Sequence, residues 1–368
     1  MPNRIRVLVV DDSAALRKYL CDLIARDPAL EVLGTAANGR LALHSLASAQ
    51  PDVVLLDLEM PDMDGLATLR VLRRAYPALP VIMCSSLTHK GAAATFDALA
   101  LGANDYIAKP IAASGERGRE DFEAQLLAKI HAFGAARGRA GGRQARLQLD
   151  PAARPRMSYR PTRRLDVVAI GVSTGGPNAL ARLVPGLAPR FPVPLLIVQH
   201  MPPLFTALLA ERLRRTSGIA VCEAQDGQPL RPGTAYIAPG DFHLEVGGSR
   251  DDLHVRLIKG PHENSCRPAV DVLLRSLAEH VGAGVLATIL TGIGRDGLRG
   301  CELVRAAGGE VIVQDEATSV VWDMPGFVAG AGLADEVLPL SDVAGSITRR
   351  VMRGRSQEDV FSEDERST

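Results

Sequence analysis

The chain has 368 residues, enough for two to three domains, and 46% are hydrophobic against 23% charged, which excludes a predominantly disordered protein. Lys and Arg number 42 and Asp and Glu 42, so the net charge is zero and the sequence-wide basic excess of a nucleic-acid binder is absent. The longest apolar runs, such as Val7–Val10 and Val53–Leu56, are strand-sized, so no membrane insertion is expected, and the N-terminus lacks the shape of a signal peptide.

Short apolar runs predict strands over Arg6–Val10, Glu31–Ala36, Val53–Leu56, Val81–Cys84 and Asp105–Ala108, alternating with amphipathic stretches such as Ala14–Arg26 and Gly39–Ser48. Five such units predict a flavodoxin-like, doubly wound parallel domain over residues 1–130. Residues 131–164 are rich in Arg, Gly and Pro and read as a solvated linker rather than a nucleic-acid arm. From Leu165 the alternation resumes, with strands over Val167–Gly171, Leu195–Val198, Val285–Thr291 and Glu310–Gln314 and helices after Pro177, Leu204, Ala269 and Asp296. The segments HLEV and LHVRLI, joined by GGSRDD, predict an antiparallel hairpin. The expectation is a second α/β domain over 165–353, a mainly parallel sheet with a β-hairpin, followed by a polar tail at 354–368 that frays. Cys21, Cys84, Cys222, Cys266 and Cys301 lack metal-ligand spacing and read as reduced thiols of a cytoplasmic protein.

In parallel α/β sheets, functional groups gather at the carboxyl ends of the strands. In the first domain strand one ends in Asp11 and Asp12, strand three in Asp57 and strand four in Ser85, and Lys109 follows strand five. Each taken alone has a plainer reading, in which Asp11 and Asp12 cap a helix and Lys109 is a surface lysine. Together, three carboxylates at one edge repel one another unless a cation sits among them, and oxygen-only ligands favour Mg²⁺. Lys109 and Ser85 then face an anion at Asp57, an arrangement suited to phosphoryl transfer onto a carboxylate. With the Asp pair, LLDLEMPDMDG, the hydroxyl after strand four, Tyr106 and the Lys109-Pro110 pair, this domain resembles response-regulator receivers. The resemblance implies that Asp57 accepts the phosphoryl group, that Asp11 and Asp12 help bind Mg²⁺, that Ser85 and Lys109 contact the phosphoryl oxygens, and that Tyr106 is a switch residue. Ser85 stands where many receivers carry Thr.

In the second domain Gly171-Val172-Ser173-Thr174-Gly175 fits G-x-S-x-G between a strand and a helix. The loop alone is equally compatible with a serine nucleophile, a phosphate cradle or a helix cap. Two other strand ends favour the nucleophile, because His200 follows one and Asp296 another, and in one parallel sheet the three converge at a single edge. His200 would then be the general base and Asp296 would hold its imidazole. The chain order Ser, His, Asp differs from that of the familiar hydrolases. Asp226 and His243 could be substituted for the pair, but neither follows a clear strand of the same sheet. A rival reading takes Gly292–Gly297 as G-x-G-x-x-G, with Asp315 past the next strand, and makes the domain a receiver-gated dinucleotide-binding module. A DNA-binding output is disfavoured because no helix-turn-helix stretch follows the linker.

The stretches IGVSTGGP, VQHMP, YIAPGDFHL, RPAVDVLLRS, LTGIGRDG and DEATSVVWDMPG make the second domain similar to the chemotaxis receptor methylesterases, which join a receiver to a hydrolase. The resemblance implies Ser173 as nucleophile, His200 as base and Asp296 as orienting acid, with the backbone of Gly292, Ile293 and Gly294 near the oxyanion. It further implies hydrolysis of glutamyl methyl esters and deamidation of glutamines on chemoreceptors, with a chemotaxis-type histidine kinase as phosphodonor. Mg²⁺ is expected for receiver phosphorylation. No cofactor is expected for hydrolysis, because this domain lacks clustered His or Cys ligands. Ile293 replaces a methionine usual in that loop, and Asp323 stands where many members have Gly.

Overall fold

The computed structural model describes residues 4–110, 115–141, 164–250, 252–353 and 355. The chain splits into two compact units, Met1–Leu147 and Gln148–Thr368. The first unit runs β1 (Ile5–Val10), α1 (Ala14–Ala25), β2 (Leu30–Ala36), α2 (Gly39–Ser48), β3 (Val53–Asp57), α3 (Gly65–Ala75), β4 (Val81–Ser85), α4 (His89–Ala100), β5 (Asp105–Ala108) and α5 (Gly115–Gly141). Its strands pair in parallel in the order β2-β1-β3-β4-β5. β3 and β4 are buried along their whole length, which is why VVLLD and VIMCS are nearly unbroken apolar runs rather than alternating ones. The helices start where side chains satisfy their first free N–H groups: Ser13 accepts from Leu16, Asn38 from Leu41, Asp64 from Ala67 and Thr88 from Gly91.

The second unit runs β6 (Val167–Val172), α6 (Gly176–Leu183), β7 (Leu195–Gln199), α7 (Phe205–Thr216), β8 (Ala220–Glu223), β9 (Thr234–Ile237), β10 (His243–Gly247), β11 (His254–Ile258), α8 (Val270–His280), β12 (Val285–Ile289), α9 (Leu298–Ala306), β13 (Glu310–Gln314), α10 (Asp323–Gly330), β14 (Glu336–Leu338) and α11 (Leu340–Val351). Seven strands form one sheet in the order β14-β13-β12-β6-β7-β9-β8, parallel throughout. β10 and β11 pair antiparallel beside it, as the sequence leads one to expect. Val167, Ala169, Leu196, Val198, Val285 and Ala287 meet Val270, Leu273, Leu274 and Leu277 of α8 in one apolar core. β6, β7 and β12 are adjacent and fully buried, so their carboxyl ends share one edge.

Three expectations need correction. The composition change near residue 130 does not end the first unit's last helix, because α5 runs to Gly141. Ala135, Ala136 and Ala140 with Arg137 and Arg139 are good helix formers, and the interspersed glycines conceal them. The strand expected to reach Thr291 stops at Ile289, because Thr291 N–H turns to the Gln314 side chain at 2.9 Å. β8, β14, α10 and α11 are absent from the sequence reading. β8 and β14 are short edge strands, and α10 contains Pro325 and lacks apolar periodicity. The linker from residue 142 to 163 and the tail from 356 lie outside the described residues.

Leu196 lies in β7 between β6 and β9 and is fully buried. Leu196→Ala should destabilise the second unit by about 2–5 kcal/mol, read by chemical denaturation. A loss below about 1 kcal/mol would contradict close packing at this position.

Candidate active site

The first unit's acidic cluster follows from strand order. β1 and β3 are neighbours, so Asp11, just past β1, comes beside Asp57 at the end of β3. Both are buried and Asp12 is exposed, yet carboxylate oxygens of all three lie within 4.8 Å of one another. Lys109 Nζ sits 2.8 Å from Asp11 Oδ2 and 2.7 Å from Asp57 Oδ1. Burial pushes the Asp57 carboxyl above the usual carboxylate range, against the pull of Lys109. Beyond the Lys109 ion pair, the buried Asp11 Oδ2 has no hydrogen-bond donor among the described residues. A buried, unsatisfied anionic oxygen in an all-oxygen cluster suits a hard divalent cation, so these residues fit Mg²⁺. Ser85 ends the neighbouring strand, where its hydroxyl accepts from Thr95 at 2.7 Å and donates to the Ser86 carbonyl at 3.2 Å. Tyr106 is buried in β5, with Lys129 Nζ 5.8 Å from its ring centroid.

In the second unit the turn after β6 carries Ser173. Gly175 has φ +76, a left-handed conformation that lets the chain turn straight into α6. Ser173 N–H donates to the Thr291 carbonyl at 3.0 Å, and its carbonyl accepts from Gly176 N–H at 2.8 Å and Gln199 Nε2 at 3.0 Å. Gly292, after β12, approaches so closely that an added Cβ would collide with Met324 Sδ and lie 2.8 Å from Ser173 Cβ.

His200 follows β7, its N–H donating to the Val172 carbonyl at 3.2 Å. Its ring Nε2–H donates to Asp296 Oδ2 at 2.8 Å, and its Nδ1 faces Cys266 Sγ at 3.5 Å. Ser173 Oγ lies at the same sheet edge but makes no hydrogen bond to His200, so the structure joins two of the three sequence-derived residues directly. Burial alone would lower the His200 imidazolium, but Cys266 and Asp296 outweigh it and the net direction is upward. Asp296 is 2% exposed. Burial opposes its ionisation, yet His200 and the N–H groups of Val270 and Asp271 hold its carboxyl below the usual range. Of the three loop residues expected near an oxyanion, Gly292 donates to the Val321 carbonyl at 3.0 Å and Gly294 faces Asp323 Oδ2 at 3.5 Å. Among the described residues the N–H groups of Ile293 and Thr174 have no acceptor.

Sequence reasoning missed the residues that hold this arrangement. Gln199 ends β7 and bridges the carbonyls of Ser173 and His200; Gln314 ends β13 and receives Thr291 N–H. Both are buried, and a glutamine closing an apolar strand was the available signal. Asn264, Cys266 and Asp271 surround His200 and Asp296 from α8 and the turn before it. His131 of α5 contacts Asp27 at 2.7 Å. His243 is buried, accepting from Ala269 N–H at Nδ1 and contacting the Pro261 carbonyl, while Asp226 receives Leu257 N–H, so neither serves a catalytic pair. The dinucleotide reading is not supported: Asp296 fills the glycine loop and bonds to His200, and Asp315 is taken up by Thr318. Among the described residues no helix is long and apolar enough to cross a membrane.

Comparison with known proteins agrees with this geometry. The pattern of the CheB methylesterase family matches residues 168–347, and that of the response regulator receiver domain matches residues 7–115. The protein-glutamate methylesterase/protein-glutamine glutaminase of Nocardioides sp. is 49% identical over 359 residues, covering 96% of this chain and 97% of its own. The protein of the same name from Trichodesmium erythraeum is 46% identical, covering 95% of this chain and 99% of its own. The crystal structure of the Thermotoga maritima CheB methylesterase catalytic domain matches with a TM-score of 0.50 at 44% identity, covering 51% of this chain and 99% of that one. The chain therefore belongs to the protein-glutamate methylesterase/protein-glutamine glutaminase family, in which a response regulator receiver domain precedes a CheB methylesterase domain.

Proposed function

We propose that Ser173, His200 and Asp296 hydrolyse glutamyl methyl esters, and deamidate glutamines, on cytoplasmic segments of chemoreceptors, and that phosphorylation of Asp57 controls the reaction. The observation that carries this reading is the 2.8 Å hydrogen bond from His200 to the buried Asp296, at the sheet edge where the Ser173 turn emerges.

Because Nε2 is committed to Asp296, Nδ1 is the nitrogen that acts as base. Ser173 Oγ takes the position at Nδ1 that Cys266 Sγ holds at 3.5 Å, and catalytic hydrogen bonds commonly tighten only once substrate is bound. As Oγ bonds to the ester carbonyl carbon, its proton passes to Nδ1, and Asp296 stabilises the resulting imidazolium. The N–H groups of Thr174 and Ile293 receive the oxyanion, Thr174 being the residue after the nucleophile that supplies this donor in related turns. A backbone donor is indifferent to the replacement of methionine by Ile293. Collapse expels methanol, which takes the proton from Nδ1. Water, deprotonated by Nδ1, then cleaves acyl-Ser173 to the glutamate carboxylate and restores the serine. A glutamine substrate follows the same route and releases ammonia. Hydrolysis requires no metal, since the histidine activates the serine.

In the receiver domain Asp57 attacks the phosphoryl group of a chemotaxis-type histidine kinase, and Lys109 and Ser85 contact the phosphoryl oxygens. Asp11, Asp12 and Asp57 would hold Mg²⁺, whose charge offsets that of the transferred group.

Methanol release from methylated receptor membranes should vanish in Ser173→Ala and nearly vanish in His200→Ala. Asp296→Asn should retain more, with a loss of about 10²–10⁴-fold. The acid limb of the wild-type pH profile should lie above ~6.5, because Cys266 and Asp296 favour the protonated imidazole over the opposing effect of burial, and should fall in Asp296→Asn as the Asp296 share is lost. Turnover surviving in Ser173→Ala would sink the reading.

Acetyl phosphate with Mg²⁺ should raise methanol release by the full-length protein, and Asp57→Ala should block the rise. An equal rise in Asp57→Ala would remove Asp57 from the control.

A further inference from the structure

We propose that Asn264 is the positioning residue of the His200–Asp296 pair, its single amide keeping two buried carboxylates ionised side by side. The inference rests on the serine-hydrolase reading above. Asp296 and Asp271 are each 2% exposed. Asn264 Nδ2 lies 2.8 Å from Asp296 Oδ1 and 2.9 Å from Asp271 Oδ2, so its two amide hydrogens serve one carboxylate each. Apart from the His200 ring N–H on Asp296 Oδ2, the remaining donors are backbone groups. Asp296 also receives the N–H of Val270 at 2.6 Å, Asp271 at 3.0 Å and Gly297 at 3.1 Å. Asp271 Oδ1 receives Gly297 N–H at 3.0 Å and Gly300 N–H at 2.7 Å, while its Oδ2 has Asn264 as its one hydrogen-bond donor among the described residues.

Adjacent buried carboxylates resist double ionisation unless donors or cations cover them. The groups facing the pair are His200 at the end of β7, Glu263 and Cys266 in the turn, Arg275 on α8 and Cys301 on α9. Arg275 is engaged by both Glu263 oxygens at 3.0 and 2.9 Å, and among the described residues no Lys or Arg pairs with Asp271 or Asp296. Burial, reinforced by the Asp296 charge, already raises the Asp271 carboxyl.

The backbone is shaped to present this amide. Asn264 and Ser265 have φ +52 and +61, and Glu263 and Cys266 close the turn with reciprocal N–H to carbonyl bonds of 3.1 and 2.9 Å. Asn tolerates the left-handed conformation and Gly adopts it freely, whereas Ala is strained there. Although Asn264 is an exposed residue, its amide points inward.

The active cluster has neutral His200 with Asp271 and Asp296 both ionised, one proton fewer than the inactive form. A neutral donor to the carboxylates favours that deprotonated state. Without it, the cluster as a unit holds its proton to higher pH, so the acid limb of the activity profile moves up.

The test is the pH dependence of kcat and KM for methanol release by the full-length, acetyl-phosphate-treated protein, with circular dichroism confirming the fold of each variant. Asn264→Gly removes the amide and keeps the turn; Asn264→Asp is isosteric and adds a third carboxylate. In Asn264→Gly, kcat should fall about tenfold at neutral pH with KM changed less than about twofold. The deficit should shrink at alkaline pH as the acid limb moves up by about one unit, and further still in Asn264→Asp. A loss uniform across pH would mean structural support only and would overturn the proposal, as would an unchanged profile in both variants. If Ser173→Ala is inactive while the Asn264 variants leave the limb in place, this proposal alone fails. If Ser173→Ala stays active, the hydrolase reading fails with it.

Discussion

A carboxylate buried at the start of a helix must find a donor for each lone pair, and meeting that requirement at Asp296 assembles the proposed hydrolase site. Its partners come from four places in the chain: the His200 ring after β7, the first N–H groups of α8, the Asn264 turn and its own Gly297. An unsatisfied acceptor at this depth would cost about 1–3 kcal/mol, and more for a charged one. The glycine loop after β12, the entry into α8 and the end of β7 are therefore held in register by one side chain. The raised proton affinity of His200, which burial opposes, comes from Cys266 and from this bond to Asp296 together.

Both domains use the same constructional rule. A parallel sheet with buried strands leaves its carboxyl ends as the one edge where polar groups from several strands can meet. In the receiver domain that edge gathers Asp11, Asp57 and Lys109 into a charge cluster. In the methylesterase domain it gathers Ser173, His200 and Asp296. The difference lies in what covers the carboxylates. A lysine beside a cluster of three carboxylates suits a phosphoryl acceptor; neutral backbone and amide donors suit a carboxylate that orients an imidazole.

Much of this was legible in the residues because strand ends are legible. The runs VVLLD, VAIGV and LLIVQ mark fully buried strands, and the polar residue that ends the first and follows the other two is placed by the sheet itself. The hairpin was legible from its turn. The supporting residues were not, because their roles arise from contacts distant in sequence: Asn264 meets Asp296 across 32 positions and Gln199 meets Ser173 across 26. The assignment of His200 Nε2 to Asp296, which turns Nδ1 toward Cys266, also lay beyond sequence, since residue type does not say which ring nitrogen faces which neighbour. α11 carries a helical period in Leu340, Val343, Ile347 and Val351, and α5 continues past the change in composition because its alanines and arginines favour helix despite the glycines between them.

The central claim is that His200, held by Asp296, activates Ser173 as the nucleophile. The most direct measurement is labelling of the full-length protein with a serine-directed fluorophosphonate, the adduct being located by peptide mass spectrometry. The account predicts a single adduct on Ser173 in the wild type and its loss in His200→Ala. No adduct on Ser173, or equal labelling in His200→Ala, would contradict it.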